Sequence, residues 1–264
     1  AFHLDEKNYQ EHVVDKNILK ITRIIALSNE LKDIAIKKAG KNNVDVIRNG
    51  VDTERFYYVE KSMSRIRLSL ESDEIIILSV GSLNYGKGFD LIIEALANIR
   101  NKTNLNIKLY IIGSHGPAGD NRNELRSLIS SLKIEPYVKF MGEVNNKDLV
   151  HWYNSCDLFC LASRSEGSPN VLTEALACGC PSLTTDVGAA REIIEIKDGL
   201  GICIEEPDTV LVEQAILKIL NTDYDRKENS VFYSNFNWEW CGNQVVTVYD
   251  DVLSRIKNGG LNNG

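Results

Sequence analysis

Ile75-Ile-Ile-Leu-Ser-Val80-Gly81-Ser-Leu-Asn-Tyr-Gly86-Lys87-Gly88-Phe89-Asp-Leu-Ile-Ile-Glu-Ala-Leu-Ala97 is the stretch on which the architecture turns. Its opening run, residues 75–80, is apolar apart from Ser79 and too short for a buried helix, so it reads as a strand covered on both faces. Beyond the glycine-rich turn, Phe89, Ile92, Ile93, Leu96 and Ala97 fall at helical spacing, and a helix must follow at once.

The same alternation extends in both directions. Upstream, residues 24–28 and 44–48 read as strands around a helix at 29–39, and Asn49-Gly50 marks a turn. Downstream, strands are expected at 107–112, 138–141, 157–162, 182–185 and 202–204. Helices are expected between them at 123–132, 147–155, 171–178 and 190–194, then at 210–220 and, after the aromatic corner Phe236-Asn237-Trp238-Glu239-Trp240, at 241–256. Doubly covered strands alternating with helices imply an α/β fold with a Rossmann-like, doubly wound parallel sheet. Ligands of such sheets bind at the carboxyl ends of strands, so the loops after Val80, Ile112, Met141, Ala162 and Thr185 are where chemistry is expected.

Composition narrows the field. With 264 residues, 43% hydrophobic and 25% charged, the chain is neither disordered nor fibrous. No apolar run reaches the roughly 20 residues of a membrane span, and the charged first 30 residues lack the core of a signal peptide. The net charge is -7, with the deficit of basic residues falling after residue 50, which argues against nucleic acid as a partner. The six cysteines form no Cys-x-x-Cys pair and most lie in apolar stretches, as reduced thiols of a cytoplasmic protein do, with no zinc site expected. The chain starts at Ala1 with a polar segment, residues 1–16, so a piece upstream is expected to be missing; the tail 258–264 is expected to be disordered.

Two loops carry the chemical signal. Gly81 to Gly88 nearly matches the phosphate loop Gly-x-x-x-x-Gly-Lys-Ser/Thr in its strand-to-helix context, but Gly88 has no hydroxyl for Mg²⁺. What remains is a loop whose glycine N–H groups and Lys87 can hold a phosphate, or else a tight turn with a solvated lysine. In Ser163-Arg-Ser-Glu166-Gly167-Ser168-Pro169-Asn170-Val171-Leu-Thr-Glu174, two carboxylates are separated by seven residues. Pro169 suits a first helical turn, which puts Glu166 ahead of a helix start and Glu174 inside it. A diphosphate on that positive helix end, flanked by two hydroxyl-accepting carboxylates, suits a sugar nucleotide. Spacing alone equally allows a solvated Glu174 and a Glu166 that merely faces the helix dipole. His115, in the loop after residue 112, can approach a ligand or stand exposed; His151 reads as a helix-surface residue. Asp223-Tyr224-Asp225 lies in a late loop and reads as a solvated turn.

The segment from Glu166 through Glu174 to Cys178-Gly179-Cys180-Pro181 resembles the Glu-x₇-Glu signature of glycosyltransferase family 4, the retaining transferases of GT-B architecture. Other segments fall in that family's order: Arg48-Asn49-Gly50-Val51-Asp52, Gly81 to Gly88, Tyr110-Ile-Ile-Gly113, Val138-Lys-Phe-Met-Gly142 and Thr185-Asp-Val-Gly188-Ala-Ala-Arg191-Glu192. The resemblance implies one half of a GT-B fold: residues 1–47 the end of an acceptor domain, 48–240 the nucleotide-sugar donor domain, and 241–264 a closing helix and tail. It implies that Glu174 binds ribose hydroxyls and that Glu166 contacts the donor sugar near the reacting carbon. Ser168, Asn170 and Val171 would meet the distal phosphate and sugar through backbone N–H groups, beside Gly167 and Pro169. Lys87 would meet the diphosphate beside Gly81 and Ser82, and Val144 would border the base. Glu166 and Lys87 are then the catalytic candidates.

Two positions depart from the family: Ser82 stands where a second diphosphate cation, an Arg, is usual, and Ser168 where an aromatic is usual. The implied activity is hexose transfer from a nucleoside-diphosphate sugar, of UDP or GDP, to a hydroxyl of a glycan or lipid-linked acceptor with retention, in polysaccharide or glycoconjugate synthesis. It would need neither metal nor other cofactor, and would take place in the cytoplasm or at the inner face of the membrane. With the acceptor domain largely absent, this chain is expected to be inactive alone. A nucleotide-binding module without turnover and a P-loop phosphotransferase remain as alternatives.

Overall fold

The computed structural model describes residues 22–40, 42–116 and 119–257; the polar opening segment and the tail from residue 258 lie outside the described residues. In chain order the elements are β1 (Ile24–Ala26), α1 (Asn29–Ala39), β2 (Val44–Val46), α2 (Lys61–Leu68), β3 (Ile75–Val80), α3 (Phe89–Lys102), β4 (Ile107–Ile112), α4 (Arg122–Leu132), β5 (Val138–Gly142) and α5 (Asn146–Ser155). They continue with β6 (Leu158–Leu161), α6 (Asn170–Ala177), β7 (Ser182–Thr185), α7 (Ala190–Ile194), β8 (Gly201–Ile204), α8 (Thr209–Leu220), α9 (Arg226–Tyr233) and α10 (Trp238–Lys257).

Six parallel strands form the main sheet in the order β5-β4-β3-β6-β7-β8. The chain winds outward from β3 to β5, returns to the middle, and winds the other way, so the switch point lies between β3 and β6, where Ile77 pairs with Leu158. The apolar run of β3 serves two cores at once. Ile77 joins the layer with Phe89, Ile92 and Ile216, whereas Ile76, Leu78 and Val80 join Tyr153, Leu172 and Ile193 on the opposite face. That double burial is why β3 and β4 read as near-continuous hydrophobic runs.

A smaller parallel pair, β1 with β2, is joined by α1. The strand expected at 24–28 stops at Ala26, because the Ser28 side chain accepts the Leu31 N–H and caps α1 instead. Two helices have no counterpart in the hydrophobic pattern. In α2 the buried residues are Ser64 and Arg65, and the Arg65 guanidinium donates to Ser155 O, Ser72 O and Asp157 Oδ2, so polar groups do the work of apolar side chains. In α9, Asn229 and Ser230 are buried beside Tyr233, and Asp225 accepts the Glu228 N–H, so the expected solvated turn at 223–225 supplies a helix cap. The last helix starts at Trp238 and has no buried residue. Among the described residues no helix is long and apolar enough to cross a membrane.

Candidate active site at the switch point

The loop 81–88 leaves β3 and the loop 162–169 leaves β6, so the sheet order itself sets the two sequence candidates side by side. They touch through the Arg164 N–H, which donates to Gly86 O at 2.7 Å. Gly88 makes the closest approach: at φ +65, a Cβ there would lie 1.8 Å from Ala162 O. No side chain fits, and the hydroxyl of a nucleotide-triphosphatase loop cannot stand at this position.

Several N–H groups of the glycine loop are engaged within the fold. Gly81 donates to Ile112 O, Leu83 to Ser114 O, Asn84 to Ser82 O, Lys87 to Asn84 O and Gly88 to Tyr85 O. The 3₁₀ turn Tyr85–Lys87 consumes two of these donors. The loop also presents Lys87. Its stem lies against Gly81, where a Cβ would meet the lysine Cδ at 3.5 Å. Its ammonium donates to Glu166 Oε1 at 2.6 Å, and the Ser163 hydroxyl donates to the same oxygen at 2.7 Å. Ser82 Oγ accepts from Asn84 Nδ2 at 2.8 Å.

Arg164 turns away from this pair. It is bidentate on Asp90 at 2.9 and 2.6 Å and stacks 3.9 Å from the Tyr85 ring centre, and the Asp90 hydrogen bonds raise its pKa.

Pro169 is the N-cap of α6 in extended conformation, one place ahead of the first turn expected for it, and Asn170 opens the helix. The reason is local: the Pro169 carbonyl accepts the Leu172 N–H and closes the first turn from outside. Asn170 Oδ1 accepts from Asn49 Nδ2 at 2.9 Å, and the buried Ser168 Oγ has no hydrogen-bond partner. The Gly167 carbonyl accepts the Ala189 N–H, and Gly188, at φ +57, packs where a Cβ would be 2.4 Å from the carbonyl oxygens of both Glu166 and Gly167. The β7–α7 loop thus presses the acidic loop into shape.

Glu174 lies one turn into α6, and its Oε2 accepts the phenolic proton of Tyr153 at 2.8 Å. Burial raises the Glu174 pKa; the Tyr153 bond and nearby Arg55 oppose that rise, and Asp52 adds to it. Val144 is half-buried after β5, packed on the core face that holds Tyr153.

Beside Glu166 opens a cleft of about 390 Å³ lined by Glu30, Asp186, Gly188, Arg191 and Glu192 among others. Arg191 is neutralised locally by Asp186 and Glu195, each at 2.7 Å. Glu30 was not legible as a site residue. It arrives from α1, where its Oε2 accepts the Gly188 N–H at 3.0 Å, while Glu192 Oε1 accepts the Asn29 N–H at 2.8 Å. The smaller unit therefore sits on the lip of the cleft.

His115 is exposed. His151 is half-buried rather than on the surface, 3.3 Å from Ser64 Oγ, and burial lowers its pKa. All six cysteines are free thiols, with Cys178 and Cys180 buried around Gly179. Among the described residues no group of three or more His, Cys, Asp or Glu is placed to hold a metal ion.

A parallel sheet in this order, with an acidic strand-to-helix loop at its switch point, is a Rossmann-like half of the GT-B glycosyltransferase fold. The chain belongs to the family Glycosyl transferases group 1, matched over residues 61–235. It is 30% identical over 247 residues to an uncharacterized glycosyltransferase of Methanocaldococcus jannaschii, covering 89% of this chain and 61% of that one. Its fold is similar to sucrose-phosphate synthase from Thermosynechococcus elongatus, with TM-score 0.80 and 23% identity over 95% of this chain and 62% of the other. It is also similar to Anabaena HepE, solved in complex with UDP, with TM-score 0.78 and 20% identity over 94% and 70% of the two chains. The chain spans about six tenths of the length of the curated relatives it matches.

Proposed function

We propose that this chain carries the donor site of a retaining hexosyltransferase, which moves a hexose from a UDP- or GDP-sugar to a hydroxyl of a glycan or lipid-linked acceptor and releases the nucleoside diphosphate. The observation that carries the reading is the convergence of Lys87, Glu166 and the start of α6 at one switch point. In this reading residues 48–240 hold the donor and residues 1–47 belong to the acceptor side. The work is polysaccharide or glycoconjugate synthesis in the cytoplasm, with lipid-linked acceptors reached at the inner face of the membrane.

Glu174 accepts hydrogen bonds from ribose hydroxyls, and Val144 borders the base. Glu166 meets the sugar near the reacting carbon, with Gly167 and Ser168 beside it. As the sugar–phosphate bond breaks, negative charge gathers on the departing diphosphate. The Lys87 ammonium is placed to exchange a carboxylate for that phosphate. The N–H groups of Asn170 and Val171 belong to the first turn of α6, whose donors have no acceptor within the helix. A well-placed donor of this kind contributes about 3 kcal/mol to the barrier reduction. Lys87 supplies the cation, so the reading needs no metal ion.

The test is calorimetric titration of the chain with UDP, GDP, ADP and CMP, with and without Mg²⁺, repeated on Glu174→Ala. Metal-independent binding of one diphosphate, lost on substitution, is expected. Binding that requires Mg²⁺ would favour a phosphotransferase, and no binding by the wild-type chain would sink the donor reading.

A further inference from the structure

Tyr153 lies on α5, outside both loops of the site, yet its hydroxyl reaches Glu174 Oε2 at 2.8 Å. The side chain is completely buried. Its ring stands edge-on to Phe56 at 5.8 Å and to Phe159 at 5.6 Å, so it is packed between two aromatic neighbours. The backbone beneath it is held too: Arg226 Nη2 donates to the Tyr153 carbonyl at 2.9 Å and Nη1 to the Cys156 carbonyl at 2.8 Å. A phenol fixed this rigidly has one proton to give, and it gives it to one oxygen of one carboxylate.

A carboxylate that must accept two hydroxyls of a vicinal diol needs its plane set and its charge kept, and a half-buried glutamate tends to lose both. We propose that Tyr153 is a positioning residue for Glu174: its hydroxyl fixes the carboxyl plane and holds the carboxylate ionised, so that a ribose diol meets a ready acceptor. This rests on the donor reading above. The groups facing the carboxyl are Tyr153 from α5, Asp52 and Arg55 from the segment before α2, and Cys178 from the C-cap of α6. Arg55 also favours the ionised form and Asp52 disfavours it, so these two charges oppose each other and the phenol adds to the favourable side. Burial beside Glu174 raises the Tyr153 pKa well above the ordinary phenol value, which keeps the donor protonated.

Tyr153→Phe removes the hydroxyl and keeps the ring. The probes are UDP and GDP, each compared with its 2′,3′-dideoxy counterpart, titrated from pH 5 to 8. The expected result is a loss of about tenfold in affinity for the ribonucleotide that binds, with the dideoxy compound unchanged. The acid limb of binding should move to higher pH, and the Glu174 carboxyl, followed by carbon NMR, should titrate higher than in wild type. In a Glu174→Gln background the substitution should lose its effect on affinity. Equal losses for ribo and dideoxy compounds, or an unshifted carboxyl, would overturn the inference and leave Tyr153 a packing residue. Binding that depends on Glu174 but not on the Tyr153 hydroxyl sinks this inference alone. A wild-type chain that binds no diphosphate sinks it together with the donor reading.

Discussion

The ammonium of Lys87 and the carboxylate of Glu166, 79 residues apart in sequence, meet at 2.6 Å and tie the loop after β3 to the loop after β6. Glu166 is the more enclosed partner, its side chain 9% exposed against 22% for Lys87. Each is held by a different arm of the switch point, so the pair reports on the register of both.

Lys87→Met leaves Glu166 Oε1 with the Ser163 hydroxyl as its hydrogen-bond donor. Stability in urea should fall by roughly 1–3 kcal/mol, the cost of an enclosed carboxylate losing its counter-ion and one charged hydrogen bond. Affinity for UDP or GDP should fall at least about tenfold while that for the parent nucleoside holds, the signature of a lost diphosphate cation. Equal losses for nucleoside and diphosphate would remove Lys87 from the phosphate site.

Gly88→Ser completes the phosphate-loop pattern on paper. In the fold its Cβ would lie 1.8 Å from Ala162 O. The variant should lose more than about 3 kcal/mol of stability, and Mg²⁺ with ATP should not rescue it. A stable variant that acquires Mg²⁺-dependent ATP binding, measured by calorimetry, would restore the phosphotransferase reading.

The Glu174 carboxyl has a raised pKa in the fold, mainly through burial. Folding therefore favours its protonated form: the contribution is fully present below the ordinary value of 4.5 and is lost as pH rises through the folded value. Glu174→Gln carries no such loss, so its melting temperature relative to wild type should climb between pH 4 and 7. A difference that stays flat with pH would mean the carboxyl titrates normally. Ligand binding has the opposite trend, since protonation removes an acceptor, and UDP or GDP affinity should weaken as pH falls.

The central sheet was legible because strands such as β3 and β4 are buried on both faces and announce themselves as apolar runs. Helices α2 and α9 were not, because Arg65, Asn229 and Ser230 occupy the positions an apolar periodicity would mark. Among site residues, Lys87, Glu166 and Glu174 stood out through loop context and spacing. Tyr153 did not, since an inward aromatic on a helix looks the same whether its hydroxyl serves a carboxylate or not. Glu30 joins the cleft through a contact spanning 158 residues, and no local pattern encodes that. The missing hydroxyl at Gly88 was visible as a departure, but its cause, the Ala162 carbonyl, exists only in the fold.

The two backbone amides that cross between the small unit and the cleft, Asn29 onto Glu192 and Gly188 onto Glu30, run in opposite directions. Each unit therefore owns one proton shielded by the other's carboxylate. Their hydrogen exchange rates form a matched pair of native reporters: rates that rise together record the units parting, whereas one rising alone records a local rearrangement on its own side, with neither label nor substrate required.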